Sequence, residues 1–233
     1  MKNVVITGVS GGLGRCLAKE YLLEGCNVFG FDIQEREIKE YLGEWGRRFT
    51  FGFLDVGNDN SVEEETRQLY RQVSCVDILI NCAGILPENS KNVLEDFDVS
   101  ASLETFNVNA LGPLRMTKAL LGLLRNAEDG VVLNISSEAG SLQSHAGYTI
   151  RYDYCMSKAA LNIQSIILQR YLEKEKIRVL AVHPGWMKTD MGGMEAPLSP
   201  SEAAANIKNL VNYHQYDYHN RVFMDYNNKI RPW

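Results

Sequence analysis

A chain of 233 residues, 45% hydrophobic and 23% charged, is long enough to bury a core and has an ordinary globular composition, which excludes disordered and fibrous classes. A net charge of -5 without a Lys/Arg cluster argues against nucleic acid as a partner. No stretch approaches the ~18 apolar residues of a membrane span, and the start MKNVVITG carries no leader-like segment, so the expected setting is cytoplasmic, with no membrane partner.

Short β-rich runs alternate with amphipathic stretches from end to end, the pattern of βαβ units in a parallel sheet covered on both faces. The first run, VVIT (4–7), ends in TGVSGGLG, with Gly8, Gly12 and Gly14 spaced GxxxGxG directly before the amphipathic run GRCLAKEYLLEG. Glycines there let the backbone turn sharply and approach a pyrophosphate, and the helix start offers N–H donors and a positive dipole end. A plain strand-to-helix turn also uses glycine. The second run, NVFGFD (27–32), ends at Asp32, 18 positions after Gly14 and close to the ~20-residue offset at which an acidic group receives the adenosine ribose hydroxyls. The two signals together fit a dinucleotide.

Residues 34–48, 85–100 and 187–200 lack periodicity and read as loops, the last two as candidates for a substrate rim. Between them lie FTFGFLDV (49–56), VDILINCAG (76–84), VVLNISS (131–137) and IRVLAVHPG (177–185), and RVFMD (221–225) closes the series as a seventh run. Ser61 with Glu64 and Ser199 with Glu202 are candidate capping boxes, and Pro200 falls at a first helical position. No repeat or linker divides the chain. The expected fold is α/β: a single Rossmann-type doubly wound domain over 1–233 with a seven-stranded parallel sheet. Five scattered cysteines without a CxxC pair suggest neither a disulfide framework nor a metal site.

With these motifs the sequence resembles the short-chain dehydrogenase/reductase family. TGVSGGLG is similar to its cofactor turn and NCAG (81–84) to its NNAG element, with Cys82 in place of the second Asn. YCMSK places Tyr154 and Lys158 as YxxxK, and Tyr154 is the one tyrosine followed by lysine four positions on. NISS ends in Ser137 with Gly140 three residues later, similar to the family's SxxG serine, although Ser136 is adjacent. NVNALG places Asn109 at the catalytic asparagine, and HPGWMKTDMGG resembles the PGxxxT element. The stretches HPGWMKTDMGG and SKAALN look most like the C-factor and sniffer-type carbonyl reductase branch. Tyr154 lies 17 residues after Ser137, longer than the family's usual spacing, so a modified substrate rim is expected.

The resemblance implies a nicotinamide-dependent oxidoreductase acting on a small carbonyl or alcohol compound. It makes Asn109, Ser137, Tyr154 and Lys158 catalytic. It places the cofactor on Gly8, Ser10, Gly12, Leu13, Gly14, Asp32, Asp55, Val56, Asn81, Ala83 and Gly84, and further on Tyr154, Lys158, Pro184, Gly185, Met187 and Thr189. Lys158, one turn from Tyr154 on a helix, is expected to lower its phenol from the ordinary ~10. Ser137 would bond the substrate oxygen, and Asn109 would position a water leading from Lys158 to solvent.

Asp32 favours NAD(H), because its carboxylate repels the 2′-phosphate of NADP(H), which remains possible through Arg36 or Arg15. His183 reads as a capped strand end, His145 as a loop residue near the rim, and Met187, Met191 and Met194 as an adaptable lid or ordinary packing. The resemblance implies a homodimer or homotetramer assembled through the helices spanning 103–124 and 154–172, the second of which carries a broad apolar surface. The alternative function is a nicotinamide-binding signalling or sensor protein with little turnover.

Overall fold

The computed structural model describes residues 1–144, 148–213 and 222–233. The strands are β1 (Asn3–Thr7), β2 (Asn27–Asp32), β3 (Phe49–Phe53), β4 (Ile78–Asn81), β5 (Val131–Ile135), β6 (Arg178–His183) and β7 (Phe223–Asp225). They form one seven-stranded sheet in the order β3-β2-β1-β4-β5-β6-β7, with every neighbouring pair parallel. Among the described residues the helices are α1 (Gly12–Leu23), α2 (Ile38–Leu42), α3 (Asp59–Gln72), α4 (Ser102–Phe106), α5 (Gly112–Arg125), α6 (Tyr152–Leu172) and α7 (Pro200–Asn212).

The β1 run shows how the layers arise. Successive strand side chains point to opposite faces, so Val4 and Ile6 enter the core with Leu17 of α1 and Ile207 of α7, while Val5 enters the core with Leu69 of α3 and Met116 of α5. The winding direction reverses between β1 and β4, where the loops diverge and leave a crevice at the carboxyl ends of the strands. No helix among the described residues is long and apolar enough to cross a membrane.

Several boundaries differ from the sequence reading. Runs 49–56, 76–84, 131–137 and 177–185 are longer than the strands they contain, because their last residues leave the sheet to wall the crevice. In 34–48 a short α2 forms where Ile38 and Leu42, one turn apart, are buried together. Ser61 is not a cap: Asn58 caps α3 by accepting from the N–H groups of Asn60 and Ser61, and the Ser61 hydroxyl accepts from Asp55 N–H at 3.0 Å. Ser199 does cap α7, accepting from Glu202 N–H at 3.2 Å. The helical stretch over 103–124 is interrupted by a π-helical turn at Asn107–Leu111. His145 and Arg221 lie outside the described residues.

Candidate active site

The crevice opens into a cavity of about 840 Å³. From the β1–α1 turn come Gly8, Gly12, Leu13 and Gly14; from the end of β2 comes Asp32, and from beyond β3 Asp55 and Val56. Ala83 and Gly84 follow β4, Ser137 follows β5, and Pro184, Gly185, Met187 and Thr189 follow β6. Tyr154 and Lys158 reach the same wall from α6. The turn is closely packed: a Cβ on Gly14 would overlap the Gly8 carbonyl oxygen. The first N–H groups of a helix have no intrahelical acceptor, and no acidic side chain occupies the first turn of α1, so this end of the cavity suits an anion.

Ser10, Asn81 and Asn109 do not line the cavity. The Ser10 hydroxyl donates to Gln34 O at 2.6 Å and its N–H to Asp32 Oδ2 at 3.0 Å, which sets the Asp32 carboxylate at the rim. Asn81 Nδ2 donates to Asn134 Oδ1 at 2.8 Å between β4 and β5. Asn109 sits in the π-helical turn, buried, where its amide accepts from Ile85 N–H at 2.8 Å and donates to Ile85 O at 2.9 Å and Ser157 Oγ at 3.1 Å. The Ser157 hydroxyl in turn donates to Tyr154 O at 2.8 Å. Asn109 thus ties the loop after β4 to the first turns of α6.

The two serines after β5 have different environments. Ser136 donates to Asn162 Oδ1 at 2.6 Å and is buried. Ser137 faces Tyr154, and Gly140 allows this approach, since a Cβ there would lie 2.5 Å from the Lys158 carbonyl carbon. Lys158 Nζ lies 5.8 Å from the Tyr154 ring centroid and donates to Ile135 O at 2.9 Å.

The electrostatics depart from the expected lowering of the phenol. Burial pushes Tyr154 up to about 12, while Ser137 and then Arg151 act in the opposite sense. Burial also pushes the Lys158 ammonium down to about 8, with Cys82 opposing. Desolvation outweighs charge–charge attraction at both groups. His183 accepts from Glu138 N–H at 3.2 Å, and burial lowers its pKa, as suits a capped strand end.

A sequence model of short chain dehydrogenases matches residues 2–197. The chain belongs to the short-chain dehydrogenase family. Membership makes it an NAD(P)-dependent oxidoreductase acting on carbonyl and alcohol groups. It is 36% identical over 158 residues to the Myxococcus xanthus protein C-signal, covering 68% of this chain and 93% of that one. Its structure superposes on the carbonyl reductase Sniffer of D. melanogaster with a TM-score of 0.90 at 26% identity, covering 100% of both chains. It superposes on an NADPH-bound carbonyl reductase from chicken fatty liver with a TM-score of 0.88 at 26% identity, covering 100% of this chain and 99% of that one.

Within the family pattern, Cys82 lines the cavity in place of the second Asn, its thiol pushed up to about 12 by burial, which makes it unreactive at neutral pH. Tyr148 and Arg151, which the sequence reading did not single out, also reach the wall. The signal for them was the added length between Ser137 and Tyr154, which brings new side chains to the rim.

Proposed function

We propose that residues 1–233 form one nicotinamide-binding domain that works in the cytoplasm as a carbonyl reductase. The observation that carries this reading is the joint placement of Tyr154, Ser137 and Lys158 on the cavity that also holds the glycine turn. The residues fit a dinucleotide: the cavity is of ligand size, a helix N-terminus faces it, and Asp32 stands at the end where ribose hydroxyls need an acceptor. When bound, the nicotinamide exchanges a hydride with the substrate carbon.

The chain's own residues manage the proton and the oxygen. Held near 12, the Tyr154 phenol is protonated at neutral pH and carries the proton that a reduced carbonyl oxygen takes up. Ser137 donates to the same oxygen as charge develops on it. Lys158 holds the nicotinamide ribose hydroxyls, and Asn109 fixes the loop after β4 and supports proton exchange with solvent. Alcohol oxidation uses the same groups in reverse.

NAD(H) is the preferred cofactor in this reading. Asp32 lines the cavity, Arg36 is held by Asp190 at 3.0 Å, and Arg15 stacks 4.8 Å over the Tyr41 ring. The like charge of Asp32 therefore faces a 2′-phosphate with its nearest cations engaged. The test is oxidation of NADH and NADPH with aldehydes, ketones and quinones, using the parent and Asp32→Ala. NADH turnover is expected, with the NADPH-to-NADH ratio of kcat/KM rising about tenfold or more in the variant, a change equivalent to about 1.4 kcal/mol. An NADPH preference in the parent contradicts the assignment.

A signalling role with little turnover is the second reading, favoured by the likeness to C-signal. It predicts nicotinamide binding without consumption on the whole carbonyl panel.

A further inference from the structure

Arg151 immediately precedes α6 with φ 69, in the left-handed region that non-glycine residues seldom adopt. Its N–H donates to Ser90 O at 2.7 Å, which holds that conformation against the loop after β4. Its guanidinium lies 5.0 Å over the Tyr148 ring and lines the cavity. Its Nε is buried without a hydrogen-bond partner among the described residues. Among those residues no carboxylate lies within salt-bridge reach of it, whereas Arg36, on the same wall, is paired with Asp190. The charge acts at the reacting end of the cavity, where it is among the influences that pull the Tyr154 phenol down.

A partly desolvated, stacked guanidinium with a buried free donor is matched by a planar anion that accepts two N–H bonds. We propose that Arg151 binds a carboxylate of the substrate, so that the chain reduces carbonyl compounds bearing a free acid group. The acid sits at Arg151, the carbonyl at Tyr154, and the apolar stem against Leu86 and Trp186, which share the wall. A monoanion suits the site better than a phosphate dianion, because the Glu104 carboxylate also lines the cavity and repels the second charge.

The inference rests on the reductase reading, and its test separates the two. Binding of 4-formylbenzoate and of its methyl ester is measured by calorimetry with the parent, Arg151→Asn and Arg151→Lys; asparagine tolerates the left-handed backbone. The parent is expected to bind the acid about tenfold or more tightly than the ester, Arg151→Asn to bind both within about twofold, and Arg151→Lys to keep part of the preference. Raising NaCl from about 0.05 to about 0.5 M should weaken binding of the acid alone in the parent. Equal affinities in the parent, or a preference retained in Arg151→Asn, overturns the inference. Selective binding of the acid without reduction of either compound by NADH supports the pairing and removes the reductase reading.

Discussion

Lys158 carries a charge that the fold disfavours. Its side chain is buried, donates to Ile135 O at 2.9 Å and is shifted from 10.5 down to about 8. Below pH 8 the ammonium is charged in both folded and unfolded chains and the folded one bears the desolvation cost. Above pH 8 the folded chain releases its proton first, so that cost fades as pH approaches the unfolded value. Relative to Lys158→Met, the parent is therefore expected to gain about 2 kcal/mol of stability between pH 7 and pH 9.5. Urea unfolding of both proteins at the two pH values checks this, and a constant difference would contradict it. The identity and spacing of Tyr154 and Lys158 are legible in the sequence. Their shifts are not, because desolvation depends on what the whole fold packs around them.

At the scale of elements, α6 departs furthest from its amphipathic pattern. Its buried face carries Ser157, Lys158, Asn162, Ser165 and Gln169, while Ile163 and Ile167 are exposed. Each buried polar group has a specified partner, such as Asn134 Nδ2 donating to Ser165 Oγ at 2.9 Å and Gln169 Oε1 accepting from Val179 N–H at 2.6 Å. A periodicity argument puts apolar residues inward and cannot foresee partners supplied by other strands. The seven-stranded parallel sheet follows from the alternating runs and was legible. The strand ends were not, since Ala83, Gly84, Ser137 and Pro184 continue apolar runs yet wall the cavity. Asn109 was legible as a residue but not in its place behind the wall, which the π-helical turn determines. Gly140 links β5 to α6, and Gly140→Ala would drive a Cβ to 2.5 Å from the Lys158 carbonyl carbon and 2.7 Å from Ala159 N. Overpacking of this kind costs about 1–3 kcal/mol. The variant is expected to melt lower and to lose kcat more than NADH affinity, measured by calorimetry and steady-state kinetics; unchanged melting and kcat would contradict the contact.

The whole molecule leaves an apolar surface along α4, α5 and α6. Leu103 is 75% exposed, Ile163 54% and Ile167 59%, an unusual concentration for a face that meets only water. This supports the proposed homodimer or homotetramer. Light scattering at micromolar concentration should give a multiple of the 26.3 kDa chain mass, with Ile167→Asp shifting it toward one chain; a parent monomer would contradict the proposal. At the cavity, the proposed function depends on one proton donor, Tyr154. The most direct test is Tyr154→Phe, which removes the phenolic hydroxyl and keeps the ring, assayed for carbonyl-dependent NADH oxidation and for NADH affinity. A loss of about 10² or more in turnover is expected, with affinity unchanged within about threefold, a shift of about 0.7 kcal/mol; turnover retained with intact NADH binding would rule out Tyr154 as the donor.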